Sequence, residues 1–188
     1  MKPFSDSSET PGHLPRLDPG WYRATATVFW TFTLHDRATG WLTPEFHRVF
    51  REALLHVAFR HPCSCPVYCL MPDHLHFLLH GLSPGTDQLL AVRFLRRHLG
   101  GFLFPTRFQH QAHDHVLRPG ERQAEAFAST VHYIRENPVR KGWVKNWTEW
   151  PYTGSLVPGY PDLGDRDPQF LDQFWKCATR EKERRQTP

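Results

Sequence analysis

The chain lacks any apolar run long enough to span a membrane, and Met1–Gly20 has no apolar core of the signal-peptide kind. These absences point to a cytoplasmic protein. There are only four cysteines, Cys63, Cys65, Cys69 and Cys177. Three of them form C-x-C-x3-C, which is not a zinc spacing, so reduced, partly buried thiols are expected. No internal repeat is visible. Hydrophobic residues make up only 39% of the 188 positions, but 14% aromatics supply large side chains for a single sizeable core. Charge is nearly balanced at +4, with thirteen histidines besides, which permits a phosphate-rich partner without requiring one.

What is present centres on Val67–Gly81, VYCLMPDHLHFLLHG. Its β-branched, aromatic and aliphatic content favours strand. Side chains alternate across a strand, so His74 and His76 share one face while Leu75, Phe77 and Leu79 take the other. Two neutral imidazoles on one face make a candidate metal site that needs a third ligand; polar residues on a wet sheet face are the alternative. Val67–Met71 pairs with this strand across Pro72-Asp73, a sequence that suits a type I turn and a loop longer than two residues.

Residues 1–20, rich in Ser, Pro and Gly, read as a partly disordered tail. Trp21–Leu34 reads as a strand. Thr43-Pro44-Glu45 starts a helix that runs to about Arg60, with Phe46, Val49, Phe50, Ala53, Leu54, Val57 and Ala58 on one face. A second helix spans about Asp87–His98 and carries Arg93, Arg96 and Arg97 towards its end. Pro105 forbids a long central strand after it, leaving a short one near His113–Leu117. A third helix covers Glu121–Glu136 and closes at Asn137-Pro138. Trp143–Tyr152 reads as an aromatic loop. Asp167-Pro168 caps a last helix, and Arg180–Arg185 is expected to be solvated charge. The order predicts an α+β fold: a ferredoxin-like split βαβ with a central antiparallel sheet, plus C-terminal helices. Helices would cover one sheet face and leave the other open. The domain reading is a tail at 1–20, a catalytic domain at 21–160, and a C-terminal helix with charged tail at 161–188.

On the third helix Phe127, Val131 and Ile134 form the buried stripe. At ~100° per residue Tyr133 lies roughly 130° from that stripe, with Asn137 one turn on and on the same side. A phenol and a carboxamide therefore point together off the core. Asn137 is a candidate oxygen ligand beside His74 and His76, and Tyr133 a candidate nucleophile. Each has a plainer alternative, a helix-end residue and a helix-flank tyrosine. His80 reads as an edge histidine, and His110, His113 and His115 as surface or phosphate-contacting residues.

MPDHLHFLL followed about fifty residues later by YIRENPVRKG resembles the HUH-type tyrosine transposases of the IS200-like class, and most closely the REP-associated tyrosine transposases of bacteria. The resemblance spans most of residues 14–155, including LPRLDPGWYRATATVFWTFTLHDR, FQHQAHDHVLR and WTEWPYTGS. It implies metal ligation by His74, His76 and Asn137, and nucleophilic attack by Tyr133. The cofactor it implies is a divalent ion, Mg²⁺ or Mn²⁺, with Mn²⁺ the better match to nitrogen ligands. The implied activity is metal-dependent cleavage and rejoining of single-stranded DNA through a 5′-phosphotyrosine link. The implied partner is single-stranded DNA with hairpin-forming palindromic repeats, with phosphate contacts expected from Arg93, Arg96, Arg97, Arg140 and Lys141. A monomer is favoured, with a dimer as the alternative, and no membrane partner is expected. Two rivals stand beside this reading. A histidine-triad nucleotide hydrolase needs a third His where Leu78 stands, and is rejected. A catalytically inactive protein that binds repeat hairpins is not excluded by residues alone.

Overall fold

In a computed structural model, residues 16–117, 123–160, 163–164 and 166–186 are described. The chain forms β1 (Thr27–Thr33), α1 (Pro44–Arg60), β2 (Cys63–Met71), β3 (His74–Gly81), α2 (Gln88–Gly100), β4 (His113–Leu117), α3 (Gln123–Arg135), α4 (Asn137–Arg140), β5 (Thr153–Leu156) and α5 (Phe170–Gln186). The strands make one antiparallel sheet in the order β4-β1-β3-β2-β5. The first four follow the expected split βαβ arrangement, and β5 extends the β2 edge.

Local chemistry accounts for the elements that the sequence predicts well. The Thr43 hydroxyl accepts from the Phe46 N–H and Pro44 occupies the first turn, so α1 begins as expected. All seven apolar positions of its stripe are buried. Asp87 caps α2 in the same way through Leu90 N–H. Short Pro19–Tyr22 and His35–Arg37 segments are 3₁₀ turns flanking β1.

Several expectations are corrected. The first strand begins at Thr27, not Trp21, because Asp18 caps a turn at Pro19–Tyr22 and Ala24 adopts a left-handed φ of 54°. The Ala24 carbonyl approaches Gly81 so closely that a Cβ there would collide with it. The hairpin loop is only two residues, since Met71 pairs directly with His74. The third helix stops at Arg135, just before Asn137-Pro138 as expected, and Asn137 also opens the short α4. Beyond the Trp143–Tyr152 loop, Thr153–Leu156 is a strand that the sequence reading does not assign, and Gly154 is needed there because the Tyr68 ring fills the space a Cβ would take. Arg180–Arg185 is not a free tail: it forms turns of α5, where buried Glu181 pairs with Arg184 and Arg185 at 3.3 and 3.4 Å. Of the tail expected at 1–20, residues 1–15 lie outside the described residues, while Asp18 and Pro19–Tyr22 form the capped turn.

Both sheet faces are covered. Leu75, Phe77 and Leu79 of β3 pack with α1 and α2 in one core, around Trp30, Phe32 and Phe50. On the other face, α3 (Phe127, Val131, Ile134) and α5 (Phe170, Phe174, Ala178) pack over Val67, Cys69, Met71 and Leu78. The open second face expected from the sequence is thus reduced to one end, where β1 finishes and β3 starts. The four cysteines are free and buried. Burial pushes the Cys63 and Cys69 thiols up to about 12, so both are protonated at neutral pH. Among the described residues no helix is long and apolar enough to cross a membrane.

Candidate active site

The site grows out of the pleat. β3 turns His74, His76 and His80 to the α3/α5 side, and β1 turns Thr27, Thr31 and Thr33 to the same side, in register with them. Thr31 Oγ1 lies 2.8 Å from His76 Nδ1, and Thr27 Oγ1 lies 2.9 Å from His80 Nδ1. His74 instead meets its neighbour in the hairpin turn, with Nδ1 2.5 Å from the Asp73 carboxylate. A carboxylate only accepts, so His74 Nδ1 carries the proton and its Nε2 presents a lone pair.

That lone pair faces His76 Nε2 at 3.1 Å. Two lone pairs that close repel, so a proton or a cation has to stand between them. The Thr31 hydroxyl both donates and accepts, and therefore suits either tautomer of His76. Burial, with help from His74 and Arg140, pushes the His76 pKa down to about 3. Burial also lowers His74, against the opposing pull of Asp73. Both rings are therefore neutral at pH 7, the form that ligates metal. Burial works against the charge of Asp73, but the hydrogen bond from His74 and the Arg37 guanidinium outweigh it and hold the carboxyl below its usual range.

Among the described residues no cluster of three His, Cys, Asp or Glu side chains could hold a metal, so further ligands to a His74–His76 site would come from outside these residue types. Asn137 is 3% exposed and its Nδ2 donates to the Tyr133 carbonyl at 2.9 Å, which leaves Oδ1 uncommitted. Two nitrogens each ~2.1 Å from one ion would stand about 3.0 Å apart at a right angle and about 3.4 Å apart at a tetrahedral one, a range that includes their 3.1 Å separation. The donor set fits a divalent cation.

His74, His76, Asn137, Tyr133, Arg140 and Lys141 line one open cavity of about 600 Å³. Tyr133, 40% exposed, stands between it and a second hollow of about 420 Å³ that holds Ser129, His132 and Glu136. Its ring meets Phe29 edge-on at 5.8 Å and His76 at 6.1 Å, while the Arg140 guanidinium lies 4.1 Å over its face. Residues that sequence reasoning missed join the cavity: Thr31, Thr33, Arg37 and the carboxylate of Asp73. Arg37 pairs with Asp73 at 3.0 Å from a left-handed turn position that no periodicity marks. His113, read from the sequence as a surface or phosphate-contacting histidine, is exposed and lines the cavity.

Arg93, Arg96 and Arg97 are not brought to this site, because α2 covers the opposite sheet face. Arg96 is half-buried rather than fully solvated. Its guanidinium lies over Phe32 and Phe108 at 5.1 and 5.3 Å and donates to the carbonyls of Gln109 and His110. His80 is not an edge residue but is buried against Phe174 and Trp175 of α5.

A histidine pair on a ferredoxin-like sheet, faced by a tyrosine and an asparagine one helical turn apart, is the arrangement expected of HUH-type tyrosine transposases. Comparison with known proteins narrows the likeness to the REP-associated group. The chain is 25% identical over 142 residues to a putative REP-associated tyrosine transposase of Haemophilus influenzae, covering 66% of this chain and 77% of that protein. It is 26% identical over 139 residues to a REP-associated tyrosine transposase of Escherichia coli K12, covering 71% and 78%. A solved REP-associated tyrosine transposase bound to a REP hairpin shares the fold, with a TM-score of 0.63 at 24% identity over 76% of this chain and 81% of that one. No protein-family model matches the chain. The resemblance read from MPDHLHFLL and YIRENPVRKG, and the α+β fold, are thereby borne out.

Proposed function

We propose that this protein cuts and rejoins single-stranded DNA at hairpin-forming palindromic repeats, with Tyr133 as nucleophile. The observation that carries the reading is the convergence of two neutral imidazole Nε2 atoms, 3.1 Å apart, in a cationic cavity with Tyr133 on its rim. The hairpin as substrate is supported by the related structure, which is bound to a REP hairpin.

His74, His76 and Asn137 would hold the divalent ion, which when bound supplies Lewis-acid neutralisation of charge on the scissile phosphate. Arg37, Arg140 and Lys141 hold phosphate oxygens and orient the backbone. The Tyr133 phenol loses its proton and its oxygen attacks phosphorus. The new P–O(Tyr) bond forms as the P–O3′ bond breaks, and the released 3′-oxygen is protonated. A second 3′-hydroxyl reverses the exchange, because the phosphoester is kept in the covalent link.

The test is incubation of the purified protein with a labelled hairpin oligonucleotide and Mn²⁺, followed by denaturing electrophoresis and peptide mass mapping. A DNA–peptide adduct on the Tyr133 peptide supports the reading. Tight hairpin binding with no adduct assigns the protein to binding alone.

A further inference from the structure

We propose a second DNA subsite: the cleft between Gly40-Trp41 and Phe102–Pro105 receives an unpaired nucleobase from the strand flanking the hairpin. The inference rests on the DNA-cleaving reading above. The cleft encloses about 570 Å³ and its walls are aromatic, with Trp41, Phe46, Phe102 and Phe104. Phe104 is 88% exposed and Phe102 57% exposed. A ring left that open on a turn gives up burial that folding normally secures, and covering it is favourable. The indole N–H of Trp41 is buried with no acceptor among the described residues, an unmet donor beside this cleft.

The occupant is set by where the cleft lies. The His35–Trp41 segment separates it from the catalytic cavity: Arg37 lines the cavity, and Ala38, Gly40 and Trp41 line the cleft. Arg37 and Trp41 are four residues apart, so at most about 14 Å of chain separates their Cα atoms, a span of a few nucleotides. A strand whose phosphate is held at Arg37 is thus within a few nucleotides of the Trp41 wall of the cleft that Phe102 and Phe104 also line. Bases stack on such rings whatever their identity, and the Thr39 and Thr106 hydroxyls at the walls offer polar partners to a base edge.

The experiment measures affinity by fluorescence anisotropy for two oligonucleotides, a hairpin with a single-stranded flank and the same hairpin cut flush. Wild type, Phe104→Ala and Phe59→Ala are compared; Phe59 is 89% exposed on α1 and lines no part of the cleft. Phe104→Ala is expected to weaken the flanked hairpin about tenfold and leave the flush one unchanged, while Phe59→Ala changes neither. Equal loss on both oligonucleotides, no loss on either, or the same loss in Phe59→Ala overturns the subsite. A change in oligomeric state in Phe104→Ala overturns it in favour of a second copy as occupant. Wild-type adduct formation, measured in parallel, separates the two readings. With the adduct present and Phe104→Ala unaffected, only the subsite falls; with no adduct and no hairpin binding, both fall.

Discussion

Thr31 Oγ1 sits 2.8 Å from His76 Nδ1, directly across the β1–β3 ladder. That contact fixes the ring so that its other nitrogen meets His74 Nε2 at 3.1 Å. Partners of this kind, one shell behind the ligands, tune metal affinity as well as orientation. Thr31→Val keeps the shape of the strand residue and removes the hydroxyl. It should lower Mn²⁺ affinity about 10–100-fold by titration calorimetry, with secondary structure unchanged. His76→Ala should abolish binding. Unchanged affinity in Thr31→Val would show that packing alone orients His76.

His80 has the same threonine partnership but lies beneath Phe174 and Trp175, and its role is structural. Burial, then Lys182, pushes its pKa down to about 4. Below pH 6.5 the unfolded chain takes up a proton here that the folded chain refuses until about pH 4. Stability is therefore fully present above pH 6.5 and declines as pH falls through that window, by at most ~1.4 kcal/mol per unit for one group. His80→Gln has no such proton to take up. Urea midpoints measured in chelator should fall less steeply between pH 6.5 and 4 in this variant. His47, held down at about 4 by burial and Arg51, leaves a residual slope.

Strong periodicity made α1 and β3 legible, because burial of Phe46, Phe50 and Leu54, or of Leu75, Phe77 and Leu79, is written as spacing. His74, His76, Tyr133 and Asn137 were legible for the same reason, as positions relative to a buried stripe. Arg37 and Thr31 were not, since each reaches the cavity through long-range contacts that no local pattern carries. β5 was hidden by Gly154, which looks like a turn residue until the ring of Tyr68 is seen against it. Arg96 shows the same limit: a cation in the second half of a helix reads alike from the sequence whether it faces water or, as here, lies over Phe32.

The arginines can be told apart by salt dependence. Arg37 faces the catalytic cavity and Arg97 lies exposed across the sheet from it. Each phosphate contact on single-stranded DNA contributes ~0.7 to the slope of log K against log salt. Arg37→Ala should reduce that slope by about this amount and Arg97→Ala should leave it unchanged. Arg96→Ala should instead destabilise the fold by about 2 kcal/mol, through lost packing and lost bonds to two carbonyls. Denaturant titration together with binding at three salt concentrations reads all three.

Tyr133→Phe should separate binding from chemistry. The substitution removes one hydroxyl from a residue 40% exposed, outside the Phe127–Val131–Ile134 stripe, so stability should change by less than ~0.5 kcal/mol. The ring that Arg140 covers at 4.1 Å and that Phe29 meets at 5.8 Å is retained, and with it the positions of both. His74, His76 and Asn137 are untouched, as are Arg37 and Lys141, so Mn²⁺ and hairpin affinity should match wild type. No other tyrosine stands in for the missing oxygen: Tyr22 and Tyr68 are fully buried, and neither Tyr152 nor Tyr160 lines the cavity. The variant should therefore bind the labelled hairpin normally and leave no covalent DNA–protein band on a denaturing gel. A band at the wild-type level would remove Tyr133 from the chemistry, whatever its place between the two hollows.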